Sequence, residues 1–401
     1  MTSPDAESAL LQWRSEFPIL GRSVYLISNS LGAMPRAAER GLAEYAAAWS
    51  ERGVRAWAEG WWDMPVRLGD LAAPILGVGG GAVSFQPNVT LATAAILSCF
   101  DFTGPRRAIV TTSMEFPSLL YLCEGQRGRG ARLTIVESDD GVGIDLERLL
   151  RAIDEETQIV VVSHVLFRSA FIQDADAIVR RAHEVGAHVL LDVYQSAGTV
   201  PIDAARLDVD CVVGGCLKWL CGGPGAAFLY VRPDLRARLR PALTGWMAHE
   251  NAFGFETGPI RLREDAFRFL AGTPAIPALY GARAGLEIIA SVGIEAIRRK
   301  SVRQVARLVD LARAAGLAVT VPERPEQRGG TVAIAAPHAY EVSRELLRRE
   351  FLVDYRPGAG IRVSPHFYTA DGELEDVVRE IERILETRAY EAHVGARAYV
   401  T

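Results

Sequence analysis

Two side chains in this sequence are placed to do chemistry together, Asp192 and Lys218. Val189-Leu190-Leu191 runs into Asp192, and Cys211-Val212-Val213 runs through two glycines toward Lys218. Apolar runs of this length read as buried strands, and open α/β sheets bind ligands just past such strand ends. Leu217, Trp219 and Leu220 flank the lysine. An apolar pocket lowers an amine's pKa, which a Schiff-base-forming lysine needs. A carboxylate such as Asp192 can keep a pyridine nitrogen protonated and make the ring an electron sink. The pair points to an aldehyde cofactor held on Lys218, with Asp192 as its charge partner. The bland alternatives are a surface lysine and a helix-capping aspartate. Gly222-Gly223-Pro224-Gly225 follows the lysine and is expected to bring backbone close to a bound group.

The elements that must position these residues alternate along the chain. Strands are expected at Ala82–Phe85, Ala108–Thr112, Arg132–Val136, Ile159–Val162, His188–Leu191, Cys211–Val213 and Ala226–Val231, with helices between most of them. That order predicts a mostly parallel sheet covered by helices on both faces. Pro87-Asn88-Val89-Thr90 precedes an apolar helix, and such a helix start is a ready anion site. Trp57, Trp61 and Trp62 form either a core contact or an aromatic wall at a substrate pocket; both readings stay open. After Pro233 the pattern changes, and helices at about Pro277–Ser291 and Ile294–Ala315 lead into a second α/β unit. The expected division is an N-terminal arm (1–50) packing with the small domain, a large domain (51–290) and a small domain (291–401). A helix is also expected over Ala6–Trp13 and another over Val66–Leu76.

Composition narrows the function classes. The chain has 401 residues, 49% of them hydrophobic, with a net charge of −5. That supports a large core, and no basic block suggests nucleic-acid binding. The five cysteines lack C-x-x-C spacing, so reduced thiols are expected. Met1 to Asp5 carry no apolar leader and no run is long enough to span a bilayer, so a cytoplasmic enzyme without membrane partners is expected.

Several motifs in order carry a family resemblance: Asn29-Ser30-Leu31-Gly32, Phe116-Pro117, His164 with Arg168-Ser169, Asp192 through Gly198, and Gly214 through Lys218. Gly245-Trp246, Phe269 through Thr273-Pro274, and Tyr355-Arg356-Pro357 with Ile361-Arg362 continue it. The chain resembles pyridoxal-phosphate enzymes of the aspartate aminotransferase fold, class V, and within them the kynureninases. The resemblance implies a seven-stranded, mostly parallel sheet plus a smaller C-terminal α/β domain. It implies pyridoxal 5'-phosphate on Lys218, Asp192 at the pyridine nitrogen, and Phe116 stacked on the ring. It implies Asn88, Val89 and Thr90 at the phosphate and Gln195 near the phenolic oxygen. Arg362 would clamp the substrate carboxylate, with Asn29, Ser30 and Trp57 also at the substrate. Trp246 and Thr273 would reach the neighbouring subunit's cofactor, which implies a homodimer with shared active sites.

Departures from the family matter for the reaction. Kynureninases carry a tyrosine immediately before the lysine, where Leu217 stands. Their aspartate after the stacking phenylalanine is Leu119 here, and their histidine after the pyridine-binding aspartate is Gln195. The phosphate turn has Pro87 and Asn88 where small hydroxyl residues are usual. Leucine can neither bind phosphate nor move a proton. The expected reaction is therefore cleavage of a Cβ bond, C–C or C–S, in an amino acid with a bulky side chain other than ordinary kynurenine. Transamination, deamination or epimerisation of an amino acid is the alternative. A degenerate relative that only binds cofactor is a third reading, disfavoured by Lys218, Asp192 and Arg362. No cysteine follows Cys221, so cysteine-desulfurase persulfide chemistry is not expected.

Overall fold

The computed structural model describes residues 9–395. Met1 to Asp5, and part of the expected helix Ala6–Trp13, lie outside these residues. Thirteen strands are labelled in chain order: β1 Val24–Tyr25, β2 Val83–Gln86, β3 Ala108–Thr112, β4 Arg132–Val136, β5 Thr157–Ser163, β6 His188–Asp192, β7 Cys211–Gly215, β8 Ala227–Val231, β9 Ala318–Thr320, β10 Val332–Ala335, β11 Phe351–Leu352, β12 Asp354–Arg356 and β13 Gly360–Val363.

Seven of them form one sheet in the order β2-β8-β7-β6-β5-β3-β4. β8 runs antiparallel to both its neighbours, and every other pairing is parallel. The expected mostly parallel sheet is present. Its central strands are buried except at Gln158 and His188, which are half-buried, as a sheet covered on both faces requires. β-branched residues dominate β5 (Ile159, Val160, Val161, Val162), where their stiff side chains suit a pleated interior. β3 and β4 have the expected bounds, β2 is shifted by one residue, β8 is one residue shorter, and β5, β6 and β7 run longer, β5 to Thr157–Ser163.

A second sheet, in the order β12-β13-β10-β9, is antiparallel throughout. Helices Ile294–Ala314, Ala339–Arg348 and Asp371–Glu386 accompany it, and Val305, Leu308, Leu346, Val377 and Ile381 fill its core. The N-terminal segment touches both units. β1 pairs in parallel with β11. The helix Arg36–Arg52, as expected from its periodicity, packs against the helix Ile276–Val292, where Gly41 lies against the Tyr280 carbonyl.

One expected helix is broken. Val66–Leu76 is three short turns, Met64–Arg67, Gly69–Ala72 and a 3-10 turn Ala73–Leu76. Gly69 sits against the Val83 carbonyl, 2.1 Å from where a Cβ would stand, and Pro74 interrupts the run.

Candidate active site

The sheet brings the chemistry to the carboxyl ends of β3, β5, β6 and β7. Asp192 is the last residue of β6, paired in register with Ser163 at the end of β5. Phe116 follows β3, and Lys218 follows β7. A cleft there holds about 660 Å³ of empty space, part of it open to solvent. Asn88, Val89, Thr90, Phe116, Asp192, Gln195 and Lys218, seven of the residues expected at a cofactor, line it together.

Lys218 and Asp192 perturb each other. Burial is the main effect on the Lys218 amine and pushes its pKa down to about 7, although Asp192 pulls the other way. Burial pushes Asp192 up to about 6, opposed by the Tyr194 amide and by Lys218. Asp192 accepts the Tyr194 N–H with one oxygen at 2.7 Å. The Lys218 amine lies 4.2 Å from the centre of the Tyr194 ring and 5.7 Å from that of Phe116. Phe116 presents a half-open ring, 45% exposed, as a stacking face.

Local geometry explains the glycines around the lysine. A Cβ on Gly215 would fall 2.2 Å from the Tyr194 ring, so glycine there lets Tyr194 lie over the lysine. A Cβ on Gly32 would fall 2.1 Å from the Lys218 carbonyl, and the Gly32 N–H donates to the Leu217 carbonyl at 2.8 Å. The Asn29–Gly32 turn therefore locks the lysine loop from the far end of the chain. The Gly222–Gly225 turn corrects the expectation. Gly222 packs against Cys216 and Ala282, and Gly222, Gly223 and Pro224 line a separate groove with Leu31 and Met34, away from the lysine cleft.

The helix Val89–Leu97 begins at the cleft. Asn88 caps it by accepting the Leu91 N–H at 2.9 Å. Val89 and Thr90 stand at its first turn, where N–H groups have no intrahelical acceptor. Gln195 is held at both ends, its amide NH₂ donating to the Asn29 carbonyl at 3.0 Å and its oxygen accepting from Trp219 at 3.1 Å. One of its N–H bonds stays free for a ligand. Asn29 is 1% exposed, and both polar atoms of its side chain lack a protein partner. Buried amides are seldom left so. An orphaned amide, free helix-start N–H groups, an open aromatic face and a paired buried lysine and aspartate fit pyridoxal phosphate.

Arg362 is 2% exposed and tightly held. Asp354 accepts its Nε at 2.7 Å and its Nη2, and the Phe167 carbonyl accepts Nη1 at 2.6 Å. Asp354 thus takes the side-on edge of the guanidinium. Ser30 is half-buried beside Asn29. Trp57 is not in the cleft of its own chain: it packs edge-on against Trp61 on the main core. Trp62 turns instead to Trp246, Phe253 and Phe267, so adjacent tryptophans serve two different clusters. Trp246 and Thr273 are exposed and do not line the cleft of their own chain.

The sequence of the chain matches the model of the family described as Aminotransferase class-V over residues 78–355. The chain belongs to the aminotransferase class V family. Among similar class V proteins, the kynureninase of Burkholderia pseudomallei (strain 1106a) is 32% identical, with 99% of this chain and 98% of the relative covered. The kynureninase of Pseudomonas fluorescens is 31% identical at the same coverage. Solved structures with this fold include the cysteine desulfurase from Thermococcus onnurineus NA1, at TM-score 0.83 and 21% identity over 96% of this chain and 99% of that one. The cystine C-S lyase C-DES with its product cysteine persulfide matches at TM-score 0.83 and 20% identity, over 91% and 99%.

Four groups at this class V site had no signal in the sequence. Tyr194 contacts the lysine, Phe167 lines the cleft, Asp354 holds Arg362, and Glu115 is buried behind Ser163. Glu115 accepts from Thr112 at 2.8 Å and from both the Ser163 N–H and hydroxyl. Burial nevertheless pushes its pKa up to about 7, and the nearby Asp192 adds to this.

Proposed function

We propose that this class V protein is a pyridoxal-phosphate-dependent lyase or hydrolase of the kynureninase type. It cleaves a Cβ bond, C–C or C–S, of an amino acid with a bulky side chain other than ordinary kynurenine. The observation that carries the reading is the Lys218–Asp192 pair in one cleft, with an amine lowered to about 7. Full-length similarity to kynureninases supports the reaction class.

Pyridoxal phosphate, when bound, supplies an electron sink for charge developing at the substrate Cα. The chain's own residues do the rest. The first turn of the helix Val89–Leu97, with Asn88 as its cap, holds the phosphate. Phe116 would bear on one ring face, Asp192 would hold the proton on the pyridine nitrogen, and Gln195 would donate toward the phenolic oxygen. The Lys218 amine, poised near neutrality, takes and returns the Cα proton. Arg362 orients the α-carboxylate. Leu119, Leu122 and Val165 line the wall and limit water. Leu119 adds no proton-transfer group, in keeping with a substrate other than kynurenine.

The working form is proposed as a homodimer. Trp246 (42% exposed), Phe253 (59%) and Phe255 (69%) form an exposed aromatic cluster suited to burial between subunits, with Thr273 nearby reaching the partner's cofactor. The division into an arm (1–50), a large domain (51–290) and a small domain (291–401) is part of the same reading.

Loading the purified chain with pyridoxal phosphate tests this. A visible absorbance band is expected, lost in Lys218→Ala. Candidate β-substituted amino acids are then screened for alanine, or for keto acid with ammonia. A chain that stays colourless, or a Lys218→Ala variant with normal turnover, rejects the cofactor assignment. Keto acid formed once per cofactor without ammonia or alanine rejects the lyase assignment in favour of amino-group transfer.

A further inference from the structure

The wall of the cleft facing the small sheet carries more positive charge than an α-carboxylate requires. β12 and β13 pair antiparallel with Asp354 opposite Arg362 and Arg356 opposite Gly360. Asp354, Arg356 and Arg362 therefore share one face of this ribbon. That face borders the site through Arg362, whose Nη1 donates at 2.6 Å to the carbonyl of Phe167, a residue that lines the cleft, and all three charges act on the Lys218 amine, Arg362 and Arg356 against its protonation and Asp354 for it. Arg356 is partly buried, with Asp354 at 3.3 Å and its own Nη1 on the Tyr355 carbonyl.

Arg168 approaches from the other side. Its guanidinium lies 5.3 Å from the centre of the Phe167 ring, and Phe167 lines the cleft. It also reaches the β12–β13 turn, 4.0 Å from where a Cβ on Gly358 would stand. No carboxylate among the described residues forms an ion pair with Arg168. Three guanidiniums thus meet at this wall with one carboxylate, Asp354, and Asp354 is engaged bidentately by Arg362. The substrate α-carboxylate answers one of the two surplus charges. Partly desolvated cations without a partner are costly, so the other calls for a second anion on the ligand. The cofactor phosphate cannot serve, being assigned to the helix start at Val89.

We propose that the substrate's side chain carries a carboxylate, and that Arg356, assisted by Arg168, binds it as a specificity-determining pair. The substrate class is a β-substituted alanine whose leaving group is acidic. This rests on the reading of the cleft as an amino-acid site.

The test uses two probes of nearly equal shape, S-carboxymethyl-L-cysteine and its neutral amide, S-carbamoylmethyl-L-cysteine. Each is titrated calorimetrically into the cofactor-loaded enzyme. The acid is expected to bind at least about tenfold more tightly, a difference of about 1.4 kcal/mol. The preference should shrink as salt rises. In Arg356→Gln the ratio should fall to about one. Arg168→Gln, at a residue with no buried partner, should reduce it part-way, which covers the case where Arg356→Gln fails to fold. Equal binding of the two probes, preference for the amide, no binding of either at millimolar concentration, or a preference untouched by both variants overturns the inference. Tight, charge-selective binding without cleavage overturns the lyase reading and leaves this one standing.

Discussion

Replacing Asp354 by asparagine keeps the shape of the side chain and removes its charge. Asp354 is fully buried and accepts both Nε and Nη2 of Arg362, which is itself 2% exposed. Asparagine has one carbonyl acceptor, and its NH₂ group turns a donor toward a guanidinium. Removing one partner of a buried ion pair costs about 3–5 kcal/mol, because the remaining charge stays buried without compensation. The 2.6 Å bond from Arg362 to the Phe167 carbonyl survives and favours the low end of that range. The contact with Arg356, whose side chain is 30% exposed, adds little. A loss of about 3 kcal/mol is therefore expected. At a urea dependence of about 3 kcal/mol per molar, the unfolding midpoint should fall by about 1 M. Asp354→Asn, Arg362→Met and the double variant, followed by urea unfolding at one protein concentration, complete a mutant cycle. The double variant should recover much of the loss, since it removes the stranded charge as well. A single-variant loss below about 1 kcal/mol, or additive losses in the double variant, would refute the reasoning. Substrate affinity should also fall in Asp354→Asn, because Arg362 loses its fixed orientation.

Other outcomes follow from the same geometry. Glu115 titrates at about 4.5 when unfolded and about 7 when folded, so folding favours its protonated form. Its contribution to stability is fully present below pH 4.5 and lost as pH rises through 7, at about 1.4 kcal/mol per pKa unit. Glu115→Gln can accept from Ser163 with its oxygen and donate its NH₂ to the Thr112 hydroxyl, reversing that bond, so its stability relative to the natural chain should increase across that window in pH-dependent urea melts. A constant difference would remove Glu115 as the titrating group. Gly32→Ala places a Cβ 2.1 Å from the Lys218 carbonyl and 2.8 Å from the Cys221 Cα, both backbone atoms that cannot yield cheaply. A stability loss of about 1–3 kcal/mol and weaker uptake of pyridoxal phosphate are expected, read by titrating cofactor-free protein. Unchanged uptake would mean that the Asn29–Gly32 turn does not position the lysine.

Much of the large sheet was legible in the sequence because buried parallel strands announce themselves. Runs such as Ile159–Val162 and Val189–Leu191, separated by amphipathic helices, admit few other arrangements. Asp192 and Lys218 were legible because charged residues rarely follow such runs without a task. The broken segment Met64–Leu76 was not, since its apolar residues fit a helix while the close approach of Val83 to Gly69 is a tertiary constraint. The tryptophans stayed ambiguous in the sequence for a related reason. Neighbours in sequence, Trp61 and Trp62 point to different clusters once the backbone turns between them.

The sequence by itself determined the fold class, the cofactor chemistry and the family, because these rest on local runs and on motifs a few residues long. Only the tertiary structure decided what surrounds the charges. Tyr194 over the lysine, Glu115 against Ser163 and Arg168 at the β12–β13 turn are brought together from separate segments, and Asp354 meets Arg362 only through the β12–β13 pairing. The pKa of Lys218 depends on burial and on distances between those segments. Spacing along a chain does not contain them.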